Sequence, residues 1–369
     1  MEPTTQGGPG WATLLVPLVM AGVFAVLFGP MMATFALLGP MMMLANWFED
    51  RRRLRRARSA NATEFGNSLH RFARDLQTAG AAQILHRRAR LTEAPEVVAR
   101  ALNAHPRLWE RRPDHADFMQ VGLGTGSVSW EPDLAGPVGD PETGAVLTRC
   151  ASLGHAPVGL DLSAGMTVGI AGDRDHILSL VRWLVAQAVI HQGPADVRLA
   201  VVTDHPADWD WAKWLPHTEI EPASGRRLLA ATPGDVDEVL AHLAAGRSPD
   251  GPAGPLTVLI VDTDSLDVSR RNKLRDVQTS PGTPMAGIVM APSPMSLPGL
   301  CNVVIEMPDT FGPAKCRFPA TGRGVSDLWP TGLSAEIMLE CARALAGLKD
   351  PEVPVAAADL PDLVRLLDL

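Results

Sequence analysis

Thirty-eight consecutive positions, Trp11 to Phe48, carry no charged residue, and only a Gly29-Pro30 turn signal interrupts them. Each half, about 18 residues long, would extend roughly 27 Å as a helix, close to the thickness of a bilayer core. The pattern therefore predicts a transmembrane helical hairpin, with Trp11 and Trp47 at its outer ends, where amphipathic rings favour the headgroup zone. From 49 to 102, Phe65, Leu69, Phe72, Leu76, Ile84 and Leu85 recur at helical spacing. That predicts a helical stalk, its apolar stripe buried against a partner helix or a second copy of itself. Beyond Pro113 the pattern breaks into short units. Strands are expected near 117–123, 127–130, 166–171, 196–203, 256–262, 285–290 and 301–306, and helices near 174–191, 235–246, 266–278 and 333–347. Val197 to Val202 and Leu256 to Val261 are almost continuously apolar, as a parallel sheet covered on both faces requires.

Charge sharpens this division. Residues 1–48 hold one carboxylate and no base, whereas 49–112 hold 15 Arg against 7 acids, net +8. With the −1 of the first stretch, that leaves −15 for the rest of a chain whose net charge is −8. Arg51, Arg52, Arg53, Arg55, Arg56 and Arg58 directly follow the apolar run. They read as a topogenic collar that keeps this side of the hairpin cytoplasmic, or else as a contact for DNA or anionic lipid. The acidic body repels nucleic acid, and no nucleic-acid partner is expected for it. Cys150, Cys301, Cys316 and Cys341 are scattered with no C-x-x-C pair, and the ten histidines lack metal-ligand spacing. Neither a disulfide framework nor a metal site is indicated.

Two segments suggest chemistry. Gly122, Gly124 and Gly126 imitate a dinucleotide fingerprint but lead into the strand-like Ser127 to Trp130, so a twisted hairpin is expected there. Thr167 to Gly172, opening into a helix near Arg174, lies where a P-loop would be. A working loop needs a glycine-rich cradle of amides, a Lys on the phosphates and a Ser or Thr on magnesium. Asp173, Arg174, Asp175 and His176 stand in those places, and the two carboxylates would repel phosphate. Gly169, Gly172, Asp173, Arg174 and Asp175 are thus candidate positions of a degenerate nucleotide site. Hydrolysis is not expected there; binding through helix N-terminal amides stays open. Val258 to Asp262, followed by Asp264, has the form of a Walker B strand, whose carboxylate would hold Mg²⁺. Alternatively, Asp262 or Asp264 caps the next helix. The expected class is α/β: a transmembrane hairpin and helical stalk followed by a P-loop-NTPase-like parallel-sheet domain lacking an intact Walker A. ATP and Mg²⁺ remain open as cofactors. The boundaries are an N-terminal segment with two spans over 1–48, a basic stalk over 49–104, the ATPase-like domain over 105–350 and a linker over 351–369.

The segments His105 to Pro113 and Trp209 to His217, with Asp117-Phe118 and Leu360-Pro361-Asp362-Leu363, carry a specific likeness. They resemble the EccC family, the membrane-anchored FtsK/SpoIIIE-type motor subunit of bacterial type VII secretion systems. The resemblance implies a membrane stalk and an ATPase-like domain, further ATPase modules downstream of Leu369, and a two-span location in the bacterial inner membrane. It also implies EccB-, EccD- and EccE-like membrane subunits as partners, secreted proteins as indirect ones, and assembly toward a hexamer. The expected role is an anchor and adaptor that couples downstream modules to the membrane pore complex. The alternatives are a nucleotide-binding or weakly hydrolysing ATPase domain and an FtsK-like DNA translocase component. Trp109, Glu110, Arg111, Arg112, Asp117, Trp209, Trp211, Lys213, Trp214 and His217 occupy motif positions with a docking or structural role. The three clustered tryptophans either pack the domain's own core or clamp the next module. Gly122 departs from the family, which usually shows Arg there.

Overall fold

The computed structural model describes residues 38–134, 136–220, 225–245, 254–263, 268–279, 284–310 and 312–353, with Val19, Val23 and Val26. The chain forms two compact units, residues 1–76 with 138–146, and residues 77–137 with 147–369. Helix α1, Leu38–Arg90, begins in the first unit. Its arginines 51, 52, 53, 55, 56 and 58 are exposed; Arg53 pairs with Glu49 at 2.9 Å, and Arg51 lies 5.0 Å from the centre of the Trp47 ring.

The expected transmembrane hairpin, and the two-span membrane location that rests on it, are corrected here. Among the described residues no helix is long and apolar enough to cross a membrane. Most of the span expected before Leu38 lies outside the described residues, as do Asp264 and Leu360 to Leu363.

The second unit is built on ten strands in the order β2-β1-β10-β9-β8-β3-β7-β6-β4-β5. The parallel half comprises β3 (Thr167–Ala171), β4 (Val197–Thr203), β5 (Leu229–Ala230), β6 (Leu256–Asp262), β7 (Met285–Ala291) and β8 (Val303–Glu306). Its helices are α4 (Arg174–His191), α5 (Pro233–Ala245) and α6 (Val268–Thr279). Strand periodicity divides each apolar run between two layers. Val197, Leu199, Val201, Val258 and Ile260 join the core around α4, while Ala200, Val202, Leu259 and Val261 join the one around α5 and α6.

An antiparallel extension was not anticipated. It consists of β1 (Gln120–Ser129), β2 (Ser152–Asp161), β9 (Ala314–Phe318) and β10 (Arg323–Pro330). In the chain α2 (Ala94–Leu102) precedes β1, α3 (Pro141–Cys150) lies between β1 and β2, and α7 (Ala335–Ala346) follows β10. The glycine series is no hairpin turn: 120–129 is one strand whose register shifts between Gly122 and Gly124 and between Gly126 and Val128. Gly124 has φ +151°, and a Cβ there would sit 2.0 Å from the Trp329 carbonyl, so only glycine allows β10 so close. The bulge turns the Gly122 backbone away from the ladder, and α4 satisfies it: Gln187 accepts from its N–H at 2.7 Å, and the Trp183 indole donates to its carbonyl at 2.7 Å.

Candidate functional site

The connections leaving β3 and β8 run to opposite sides, so the carboxyl ends of these neighbouring strands form a switch point, the place where open α/β sheets bind ligands. Only Gly172 and Asp173 separate β3 from α4. The Gly172 N–H donates to the Ala291 carbonyl at 3.3 Å, and Met307 N–H donates to the Ala171 carbonyl at 2.7 Å. Gly172 has φ +131°, and a Cβ there would meet the Met307 carbonyl at 2.5 Å. The glycine thus lets the end of β8 close over β3. Gly169 serves packing as well, since a Cβ there would lie 2.8 Å from Leu297 and 2.9 Å from Cys301 Sγ. Asp173 caps α4 by accepting from His176 N–H at 3.2 Å, and Asp175 is exposed in the first turn.

Arg174 fills what remains. Its Nη1 donates to Asp262 Oδ1 at 2.8 Å and its Nη2 to Asp262 Oδ2 at 3.0 Å, while Nη2 and Nε reach Asp208 Oδ2 at 2.7 and 3.2 Å. Asp262 Oδ2 also accepts from Thr203 Oγ1 at 2.9 Å and the Trp209 indole at 2.8 Å. Thr203 is in place because the β4–β6 register sets it opposite Asp262. The Asp262 carboxylate, buried at the end of β6, is saturated by a bidentate guanidinium and two neutral donors. Asp262 foremost, and then Asp208, raise the Arg174 pKa. A magnesium nucleotide does not fit these residues: the connection is too short to cradle phosphate, and the Arg174 guanidinium, bound to both Asp262 oxygens, stands where the cation would.

The opposite pole of α4 gathers both sequence motifs. A helix end leaves its last carbonyls without helical partners. Here Val189 accepts from the Trp109 indole at 2.9 Å, Ile190 from Trp109 N–H at 3.1 Å, His191 from Arg111 N–H at 3.0 Å, and Gln192 from His217 Nε2 at 2.9 Å. Burial pushes the His217 pKa down to about 4. His191, beneath the same motif, is held well below its ordinary value, first by burial and then by the charges of Arg111, Arg100 and Arg107. Arg111 is buried, pairs with Asp117 at 3.0 Å and donates to the carbonyls of Arg90 and Gln120; burial lowers its pKa. Glu110 pairs with Arg100 at 3.2 Å and with Arg107 at 2.9 Å, and Arg112 bridges Asp196 and Glu352, each at 2.8 Å.

The motif tryptophans separate by environment. Trp209 and Trp211 are buried with ring centres 5.5 Å apart, whereas Trp214 is 38% exposed beneath the Arg343 guanidinium; Lys213 pairs with Asp210 at 2.6 Å. Sequence reasoning missed Thr203 and Asp208. Asp208 directly precedes Trp209, but nothing in one dimension marks it as a partner of Arg174.

This fold and site define an α/β domain on a large mixed sheet, with the Arg174–Asp262 ion pair at the carboxyl ends of its parallel strands. No profile of a known family matches the chain. Individual relatives do: it is 37% identical over 129 residues to the ESX-4 secretion system protein EccC4 of Mycobacterium tuberculosis, covering 31% of this chain and 10% of that protein. It is 33% identical over 177 residues to the ESX secretion system protein EccC of Thermomonospora curvata, covering 42% and 14%. Over these segments the chain is similar in sequence to EccC proteins of ESX secretion systems. It matches only 10 to 14% of the length of these two relatives. Among solved structures, the cytoplasmic domain of the T. curvata type VII secretion ATPase EccC superposes with a TM-score of 0.41 at 13% identity, covering 66% of this chain and 32% of that one. EccC ATPases 2 and 3 from the same organism, in complex with a signal sequence peptide, superpose with a TM-score of 0.37 at 12% identity, covering 58% and 41%.

Proposed function

We propose that the 105–350 domain is a non-hydrolysing, ATPase-like adaptor of a type VII secretion motor. It joins ATP-driven modules to the rest of the export machinery, with EccB-, EccD- and EccE-like subunits as its neighbours. The observation that carries this reading is the Arg174–Asp262 pair, in which the protein's own guanidinium supplies the positive charge that a metal and lysine supply in a working site. A module with this arrangement keeps the sheet and its docking surfaces but has no chemical step to perform. Substrate recognition then falls to other modules. Calorimetric titration of the full chain with ATP and Mg²⁺, alongside a phosphate-release assay, tests the proposal. The expected result is no saturable heat and no phosphate above background. Saturable ATP binding that Asp262→Asn abolishes would overturn it.

A further inference from the structure

The residues where the chain enters the α/β domain and those where it leaves meet at the C-terminal pole of α4. On the outgoing side, Asp350 is buried and its Oδ2 accepts from Ala195 N–H at 3.1 Å, while its Oδ1 accepts from Glu352 N–H at 3.1 Å. Asp350 lies so close to Gly193 that a Cβ on that glycine would be 2.2 Å from Oδ2. On the incoming side, Trp109 and Arg111 cap the same helix end, and Trp109 does so at φ +59°. A non-glycine residue in the left-handed region persists only where its surroundings over-determine it. Here two hydrogen bonds and an edge contact with the His217 ring, 6.0 Å between centres, hold it. Arg112 ties the two sides together, with one nitrogen on Asp196, just past the helix end, and the other on Glu352.

We infer that residues 109–112 and 350–352 form a clamp that fastens the outgoing chain to the incoming one. Displacement of residues 350–352 is passed through Glu352, Arg112 and Trp109 to α2, bypassing the parallel sheet. Coupling of this kind needs a contiguous set of contacts whose opening is local, and a polar knot at a helix end opens more readily than the apolar sheet core. The inference deepens the adaptor reading by naming the path. It fails separately from that reading, because ATP binding would sink the adaptor and leave the clamp standing.

The test perturbs the outgoing side alone and reads the incoming side. Hydrogen–deuterium exchange is followed in the full chain for wild type, Asp350→Ala and the milder Glu352→Gln, with Glu352→Asp as the charge-retaining control. The amides of Trp109 and Arg111 should exchange roughly tenfold faster in Asp350→Ala and about two- to fivefold faster in Glu352→Gln. They should stay near wild type in Glu352→Asp, and the amides of Val258 to Ile260 should not change. Unchanged protection at Trp109 and Arg111 in both perturbed variants would overturn the clamp. So would acceleration spread equally over the sheet in Glu352→Gln, since it would mean global loosening with no separate path.

Discussion

Replacing Arg174 by Met removes the guanidinium but keeps a stem of comparable reach, leaving Asp262 as a buried carboxylate without a cationic partner. Breaking a fully buried ion pair by deleting one member costs about 3 to 5 kcal/mol. Two features reduce that figure here. The Arg174 side chain is 39% exposed, so water partly replaces it, and Thr203 and Trp209 go on donating to the carboxylate. About 2 kcal/mol is the expected loss, or roughly 4 to 8 °C in Tm for a domain of this size. Asp262→Asn alone should cost less, because Arg174 retains Asp208 at 2.7 Å. The double variant removes the uncompensated charge and should recover at least half of the loss, giving a coupling energy of about 1 to 2 kcal/mol. Urea unfolding of the four proteins at pH 7.5, followed by circular dichroism, supplies the cycle. A loss below about 0.5 kcal/mol in Arg174→Met, or strictly additive effects in the double variant, would show that the pair is no charge-compensated plug.

Three further outcomes follow from the same geometry. His217 has a folded pKa of about 4, below its unfolded value of about 6.5, so its contribution is complete above pH 6.5 and is lost as pH falls toward 4. The loss attributable to His217 is about 3 kcal/mol at most, His191 acts in the same direction, and urea midpoints for wild type and His217→Phe should show a shallower pH slope in the variant. Gly172→Ala should cost roughly 3 kcal/mol or more in thermal unfolding, whereas Gly234→Ala, whose Cβ would find only Thr232 Oγ1 at 3.9 Å, should be close to neutral. Trp209→Phe removes an indole donor from a buried carboxylate and should cost about 1.5 to 3 kcal/mol, against about 0.5 or less for the half-exposed Trp214→Phe; equal losses in chemical denaturation would contradict the separation of the two rings.

Much of the parallel half was legible in one dimension. A strand buried on both faces must be apolar almost throughout, and such runs over 196–203 and 256–262 have few other uses. Helix α4 was readable from 174 to 191 because an N-cap aspartate precedes a long apolar segment. The antiparallel strands β2, β9 and β10 were not readable. Their pairing is interrupted by register shifts, and β10 is the partner of β1 from some two hundred residues away. The apolar run before Phe48 suggested a membrane hairpin, yet among the described residues no helix is long and apolar enough to cross a membrane.

The sequence by itself determined that no lysine follows Gly172 until Lys213, a covalent fact. It also marked the 105–113 and 209–217 segments as specific. Their use was decided only in three dimensions, by the register that sets Thr203 beside Asp262 and by α4, whose two ends lie about 27 Å apart. At one end the helix carries Arg174 to a buried carboxylate 88 residues further along the chain, and at the other it presents carbonyls that both motifs cap. Hydrogen-bond satisfaction at a helix end and charge compensation at a strand end are properties of position in space, and residues distant in sequence meet there only once the sheet has formed.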